Sequence, residues 1–159
     1  MSAGYNEPTV CSDLSVLAPQ FKAGVEAALK ECNEKGYDVI VFETQRSDAL
    51  AHLYYERGRT TKPPEKPVTN APTAEKTWHH YGLAVDVISK ADGWNKPYKW
   101  WRDVADIFNK HNCKSGIDWK MADLPHHQWY KCKPSPSQIA INLLKEGGVE
   151  AVWKAVGAE

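Results

Sequence analysis

The 159-residue chain lacks the segments that mark membrane-spanning and secreted proteins. No apolar run approaches the roughly 20 residues that a transmembrane helix needs. The first residues, MSAGYNEPTV, do not combine a basic segment with an apolar stretch, so we expect no signal peptide. We therefore expect synthesis in the cytoplasm and no insertion into a membrane.

Paired cysteines and an excess of charge are also missing. The four cysteines, Cys11, Cys32, Cys113 and Cys132, form no C-x-x-C pair, and their separations suit neither a zinc ribbon nor a compact disulfide framework. We expect reduced, mostly buried thiols. The 20 basic and 20 acidic residues balance to a net charge of zero, which argues against broad binding to nucleic-acid phosphates.

The remaining composition predicts one globular domain over residues 1–159, with about 1–11 as an N-terminal extension. Apolar residues spaced three and four apart predict helices, over residues 12–36, 47–58, 97–111 and, broken at Gly147 and Gly148, 135–156. Short apolar runs predict strands, over residues 38–43, 83–88, 117–121 and 126–131. A proline-rich loop is expected over 59–76. This order favours an α+β fold with a small, mostly antiparallel sheet.

Four of the six histidines lie in two doublets, in TWHHYGLAVD and DLPHHQW. Asp86 falls within an apolar strand, where an unpaired carboxylate is costly to bury, and His79 precedes it by seven residues. A catalytic zinc takes three His, Asp or Glu ligands and would remove that cost. Two interpretations stand at this point: His79 and Asp86 begin a metal site, or Asp86 pairs with an arginine and His79 is a hydrogen-bonded loop residue.

The second doublet adds an acidic residue. Pro125 disfavours helical geometry before it, so we expect Asp123 at a turn and His126 at the start of a strand. Alternation then divides the strand between two faces, with His126, Gln128 and Tyr130 on one and His127 and Trp129 on the other. A carboxylate beside a metal-binding histidine can move protons during hydrolysis. The alternative is that Asp123 only caps a turn.

Arg46 follows the first predicted strand directly, in ETQRSD. A residue between a strand and a helix often faces a cleft, where a guanidinium group can hold a carboxylate or a developing oxyanion. The alternative is a surface salt bridge.

Together these motifs resemble the zinc D,D-carboxypeptidase and L-alanyl-D-glutamate peptidase family, which includes dipeptidases of vancomycin resistance and many phage endolysins. The pattern S/T-x-H-x-x-G-x-A-x-D is matched by residues 77–86, and the later D/E-x-x-H by residues 123–126. QRS, Gly58 and VTNA also resemble the endolysin branch. The resemblance covers residues from about 12 to the C terminus and implies the D,D-peptidase-like fold, which is also called hedgehog-like.

The resemblance also implies roles for single residues. It implies three ligands for one catalytic Zn²⁺, namely His79, Asp86 and His126. Asp123 would be the general base and acid, and Arg46 would bind substrate or stabilise the tetrahedral intermediate. Thr77 and Gln45 would line the substrate site.

The implied function is that of a zinc peptidase that cuts the stem peptide of peptidoglycan between L-Ala and D-Glu. We expect a monomeric endolysin that reaches the wall through a holin pore. The alternatives are a D-Ala-D-Ala carboxypeptidase or dipeptidase and, from another class, a non-catalytic zinc-containing module that binds the wall. The chain departs from many relatives at CKSGIDWK, where they have Trp-Gly-Gly-x-Trp, and at His127, where phenylalanine is common.

Overall fold

The structure is a computed structural model that describes residues 10–46 and 76–159. Within these ranges the helices are α1 (Pro19–Glu34), α2 (Tyr98–Lys110) and α3 (Gln138–Ala155). The strands are β1 (Val39–Glu43), β2 (Ala84–Ser89), β3 (Cys113–Gly116) and β4 (Asp123–Trp129). The helix predicted over 47–58, nearly all of the proline-rich loop and most of the N-terminal extension lie outside the described residues.

The four strands form one antiparallel sheet in the order β1-β2-β4-β3. The α+β fold with a small antiparallel sheet is therefore confirmed. β2 is central and pairs with strands from both sides, so that Asp86 lies opposite His126 on β4 and opposite Glu43 on β1. The pairing brings three polar side chains from distant parts of the chain onto neighbouring strands.

Helices α1 and α2 pack together and cover one face of the sheet. The face of α1 that points inward carries apolar residues three and four apart, namely Phe21, Val25, Ala28 and Cys32. Burial alternates along β2: Val85 and Val87 are fully buried, whereas Asp86 and Ile88 are only partly buried. Because successive side chains of a strand point to opposite faces, Asp86 lies on the face away from the helical layer.

The first helix begins later than the sequence predicted. The region before Pro19 forms a separate 3-10 turn, Leu14–Val16, which is capped by the Asp13 side chain. Pro19 occupies the first turn of α1, where its missing N–H costs no hydrogen bond. The apolar spacing of residues 12–18 therefore belongs to a turn that packs beside the helix and is not its continuation.

The strand predicted over 117–121 is wrong, since these residues form turns and bends after β3. Asp123 is likewise not a turn residue but begins β4. The pairing of β3 with β4 is interrupted there: Ser115 lies opposite His127, and Gly116 lies opposite Asp123. This irregular stretch accommodates Pro125, which has no N–H to give to a strand ladder.

The C-terminal end of helix α3 is hydrogen-bonded to the turn before β2 and to the end of β4. Gly148 has non-helical backbone angles, φ 72° and ψ −173°, so the predicted break is confirmed. The indole N–H of Trp153 donates to the Tyr81 carbonyl oxygen at 2.7 Å, and that of Trp129 donates to the Val156 carbonyl oxygen at 2.7 Å. None of the helices in the described ranges has the length and apolarity to cross a bilayer.

Candidate metal centre

His79 lies in a 3-10 turn, Trp78–Tyr81, immediately before β2. Thr77 caps this turn, because its hydroxyl oxygen accepts a hydrogen bond from the His79 backbone N–H at 3.4 Å. Gly82 ends the turn with a φ of 70°, and a Cβ atom there would lie 2.6 Å from the Val16 carbonyl oxygen. The turn thus holds a buried His79 against the start of β2.

Asp86 and His126 reach the same place from opposite positions on β2 and β4. Asp86 Oδ1 lies 3.2 Å from His79 Nε2 and 3.4 Å from His126 Nδ1. One possible ligand atom from each of the three residues lies within 4.8 Å of the other two. The structure therefore brings together the three residues that the motifs selected, in an arrangement that can hold a metal ion.

Each histidine uses its other ring nitrogen to bind the protein. His79 Nδ1 lies 3.0 Å from the Thr44 carbonyl oxygen. His126 Nε2 lies 2.8 Å from Gln128 Oε1. Because both partners are acceptors, we assign the protons to these two nitrogens, which leaves lone pairs on His79 Nε2 and His126 Nδ1. The lone pairs belong to the two atoms that lie nearest Asp86 Oδ1.

Gln128 is itself held in a single orientation. Its side-chain amide nitrogen donates to the carbonyl oxygens of Cys132 at 3.3 Å and Lys133 at 2.8 Å. These donations fix which end of the amide is the oxygen, and that oxygen therefore faces His126. Gln128 was placed on the face of His126 by strand alternation, but its hydrogen-bonding role was not predicted.

Arg46 is buried beside the cluster, with 7% of its surface exposed. Its Nε donates to Glu43 Oε1 at 2.9 Å, and its Nη2 donates to the same oxygen. Nη2 also lies 3.8 Å from Asp86 Oδ2. The alternative of a surface salt bridge is therefore wrong. Glu43, only 1% exposed, was not singled out from the sequence because it reads simply as the polar end of a strand.

The backbone of Arg46 is joined to the histidine turn. Its N–H donates to the His79 carbonyl oxygen at 3.3 Å, and its carbonyl oxygen lies 3.0 Å from Nδ1 of His80. His80 thus contacts the main chain of Arg46, while His79 faces Asp86. In the first doublet, His79 therefore belongs to the cluster, whereas His80 binds the segment that carries Arg46.

The second doublet is divided by strand alternation, as expected. His126 faces Asp86, whereas His127 points into the helical layer and stacks on Phe108 of α2 with ring centroids 4.1 Å apart. Burial lowers the pKa of His127 to about 3, so the ring is neutral at pH 7. His127 is therefore part of the core.

Asp123 stands at the rim of the cluster. Its Oδ2 lies 3.9 Å from His126 Nδ1, and 47% of its side chain is exposed. Partial burial, together with the negative charge of Asp86, raises the pKa of the Asp123 carboxyl. The Trp119 ring packs 5.0 Å from the His126 ring and forms a wall next to this carboxylate. Asp123 is thus a carboxylate that a bound molecule can reach.

The electrostatics of the cluster favour a cation between His79, Asp86 and His126. Burial of Asp86 opposes ionisation, but His79 and His126 outweigh it and hold the pKa of the carboxyl well below its usual range. Burial of His126 opposes protonation, yet the Asp86 and Asp123 carboxylates raise its pKa. The Asp86 carboxylate is therefore ionised and available to a cation.

The two residues expected to line a substrate site are neighbours of site residues in the chain, since Thr77 lies two positions before His79 and Gln45 directly precedes Arg46. Thr77 is almost fully buried, and its hydroxyl caps the histidine turn. Gln45 is partly buried in the segment between β1 and Arg46. Their roles toward a substrate stay predictions.

A His-Asp-His cluster on the face of an antiparallel sheet away from helices α1 and α2, with an accessible carboxylate beside it, is the kind of site that metallopeptidases use. No protein-family model matches the sequence. The chain is 34% identical over 124 residues to the peptidoglycan L-alanyl-D-glutamate endopeptidase CwlK of Bacillus subtilis strain 168, and this alignment covers 70% of the chain and 72% of CwlK.

The fold is similar to two solved peptidase structures. For the L-Ala D-Glu endopeptidase ChiX of Serratia marcescens, the TM-score is 0.50 at 20% identity, over 73% of this chain and 82% of ChiX. For VanYB in complex with D-alanine-D-alanine, the TM-score is 0.56 at 12% identity, over 97% of this chain and 92% of VanYB. These two likenesses concern the fold alone.

The identity to CwlK extends over most of both chains. The chain therefore belongs to the zinc D,D-carboxypeptidase and L-alanyl-D-glutamate peptidase family, a family of peptidoglycan metallopeptidases.

Proposed function

We propose that this chain is a single-domain zinc endopeptidase that hydrolyses the bond between L-Ala and D-Glu in the stem peptide of peptidoglycan. The observation that carries the proposal is the cluster of His79, Asp86 and His126, with one nitrogen of each imidazole held by the protein and the other beside Asp86. The choice of bond is supported by the identity to CwlK.

The cluster fits zinc in its donors and spacing. His79 Nε2 and Asp86 Oδ1 are buried and make no hydrogen bond of good geometry with any described residue. Nitrogen and oxygen ligands about 2.0–2.1 Å from a tetrahedral zinc lie about 3.3 Å from each other. The separations of 3.2 Å and 3.4 Å from Asp86 Oδ1 to the two imidazole nitrogens match that edge. Three protein ligands leave one position for water or substrate.

Zinc held by these residues would polarise the scissile carbonyl and make water more acidic. We propose that Asp123 takes a proton at its carboxylate from the attacking water, and the support is that Oδ2 lies at the rim of the cluster, 3.9 Å from His126 Nδ1. The same carboxyl then donates this proton to the amine nitrogen as the C–N bond breaks. Its 47% exposure leaves room for the peptide to approach.

Arg46 supplies a permanent positive charge next to the cluster. Its guanidinium is buried and lies 3.8 Å from Asp86 Oδ2, where a nearby oxyanion or substrate carboxylate would be attracted. Thr77 and Gln45 lie close in the chain to His79 and Arg46, and we propose that they contact the peptide.

The proposal is tested by digesting purified peptidoglycan with the zinc-loaded protein and mapping the new termini by mass spectrometry. We expect new D-Glu amino termini together with new L-Ala carboxyl termini. Release of D-Ala from the stem peptide would instead identify a carboxypeptidase, and hydrolysis of free D-Ala-D-Ala to two D-Ala a dipeptidase. A zinc-loaded protein that produces no new termini would identify a non-catalytic wall-binding module.

We further propose that the protein is an endolysin, made in the cytoplasm and acting on the wall as a monomer after passage through a holin pore. The support is the resemblance of QRS, VTNA and Asp123-x-x-His126 to phage endolysins. Expression alone should leave bacterial cells intact, whereas co-expression with a holin should lyse them. Lysis without the holin would contradict the proposed route.

A further inference from the structure

Glu43 is a buried carboxylate that belongs neither to the metal cluster nor to the proposed general acid–base step, which uses Asp123. It ends β1 directly opposite Asp86 of β2, and only 1% of it is exposed. Isolated buried carboxylates are strongly disfavoured, so its charge requires a partner. Arg46 is that partner, through Nε at 2.9 Å and through Nη2.

The same guanidinium lies between two carboxylates. Nη2 of Arg46 donates to Glu43 Oε1 but stands 3.8 Å from Asp86 Oδ2, beyond hydrogen-bonding distance. A short movement would let Arg46 bind Asp86 instead. An arginine hydrogen-bonded to Asp86 would compete with a metal ion for the carboxylate, because both interactions draw on the same negative charge.

We infer that Glu43 is a positioning residue, which holds the Arg46 guanidinium away from Asp86 and so keeps the Asp86 carboxylate available to the metal. The inference deepens the proposed function and rests on it, since it supposes that the cluster binds zinc. Glu43 and Arg46 then act as one unit: the glutamate sets where the arginine's charge lies.

The charges of the site agree with this role. Glu43 and Asp86 carry two negative charges and Arg46 carries one positive charge, so these three residues keep one net negative charge that a cation can neutralise. Replacing Glu43 by glutamine removes this net negative charge and also removes the carboxylate that holds the guanidinium away from Asp86. Both effects weaken zinc binding in the same direction.

Glu43 also lies near the outer nitrogen of the first histidine. Its Oε1 is 3.9 Å from His79 Nδ1, the nitrogen that bonds to the Thr44 carbonyl oxygen. A negative charge at this distance favours the proton on Nδ1 and therefore the lone pair on Nε2. This contribution does not depend on Arg46. It accounts for the small loss of zinc affinity that we still expect from Glu43→Gln when Arg46 is also replaced.

The test compares the zinc affinity of the full chain with those of Glu43→Gln, Arg46→Gln and the double variant, by competition with a chromophoric chelator. We expect Glu43→Gln to weaken zinc binding by about 10–100-fold, as is usual for residues that orient metal ligands. We expect Arg46→Gln to bind zinc at least as tightly as the wild type. In the double variant, zinc affinity should return to within about threefold of the wild type, because no guanidinium is left to bind Asp86.

Asp103→Asn is the matched control, because it also turns a hydrogen-bonded carboxylate into an amide but lies in the helical layer, where Tyr37 and Lys99 donate to it. It should leave zinc affinity unchanged. Thermal unfolding of each metal-free variant reports whether it is folded. If Glu43→Gln does not fold, Glu43→Asp replaces it, alone and in the Arg46→Gln background, with the same expected restoration.

Two outcomes would overturn the inference: Glu43→Gln that binds zinc like the wild type, or a double variant that loses as much affinity as Glu43→Gln alone. The second would show that Glu43 merely supports the fold or acts directly on His79. If the wild type itself binds no zinc, the proposed function is wrong, but the coupling between Glu43 and Arg46 can still be measured. That coupling is then read from the stabilities of the same four proteins.

Discussion

His127 is a buried imidazole whose polar atoms are not used. Neither ring nitrogen finds a hydrogen-bond partner within the described part of the chain, and the ring stacks on Phe108. A buried polar group without its hydrogen bond costs about 1–3 kcal/mol. We expect His127→Phe to raise the free energy of unfolding by about 1 kcal/mol, since a slightly larger ring offsets part of the gain. Urea denaturation measures this change.

The same substitution also tests which histidine of the doublet faces the metal. Zinc affinity should be unaltered in His127→Phe and lost in His126→Phe, although the two changes are chemically identical. A loss of zinc in both variants would contradict the division of the doublet between the two faces of β4.

Asp123 offers a test of catalysis apart from metal binding. Asp123→Asn keeps the size and shape of the side chain but removes the proton acceptor. We expect zinc affinity to change little and kcat to fall by about 10²–10⁴-fold, the usual contribution of general acid–base catalysis. Peptidoglycan turnover at saturating substrate, together with zinc titration, measures the two effects. Wild-type kcat in this variant would remove Asp123 from the mechanism.

Residues with a chemical signal can be selected from the sequence, whereas residues that act through geometry cannot. His79, Asp86 and His126 were marked by the doublets and by a charge within an apolar strand. The Thr44 carbonyl group that holds His79 is common to every residue, so no sequence pattern could select it. Glu43 was missed because its partner depends on how β1 ends, and that follows from its pairing with β2.

At the scale of elements, the turn that carries His79 depends on Gly82. Its φ of 70° disfavours other residues by about 1–2 kcal/mol, and an added Cβ would also meet the Val16 carbonyl oxygen at 2.6 Å. Gly36 is a matched control, with a φ of 89° but open space around its Cβ position. We expect Gly82→Ala to lose clearly more stability than Gly36→Ala in thermal unfolding, and to weaken zinc binding. Equal losses would show that the close contact relaxes without cost.

Helices α1 and α2 are joined at their ends by charged side chains. Glu31 accepts hydrogen bonds from Lys110, Lys35 and His111, which lower its pKa from 4.5 to about 2. A lowered pKa in the folded state adds stability above pH 4.5, and this contribution disappears as the pH falls toward 2. The difference in Tm between the wild type and Glu31→Gln should therefore be constant near neutral pH and shrink below pH 4.5.

Calorimetry at a series of pH values measures that difference, and added salt should reduce it because the cluster is open to solvent. A difference that grows as the pH falls would have the wrong sign and would exclude the ion pairs as its cause.

Element types were predicted better than element ends, for reasons visible at two prolines. Pro19 fits the first turn of α1, but the apolar spacing continues before it and hides the true start. Pro125 predicts a turn near Asp123, yet both residues lie within β4, because the pairing of β4 with β3 is irregular there. Such a bulge depends on a partner strand, and single-strand periodicity carries no information about it.

For the whole molecule, metal binding and folding are linked. The three proposed ligands come from the histidine turn, β2 and β4, so zinc would bind only the folded chain with full affinity. At free zinc 100-fold above its Kd, removal by a chelator should lower the free energy of unfolding by about 2.7 kcal/mol. Asp123→Asn should show the same loss, whereas His126→Phe should show none. Thermal unfolding with and without chelator measures it.

The pairing of Asp86 with His126 also sets an order of events during synthesis. These residues stand opposite each other although 40 positions of sequence, from 86 to 126, separate them. A ribosome therefore makes His79 and Asp86 before the third proposed ligand, and domains generally fold as units once enough chain has emerged. The nascent chain holds an incomplete site until β4 has left the exit tunnel and joined β2, so the enzyme cannot become active before nearly all of its fold exists.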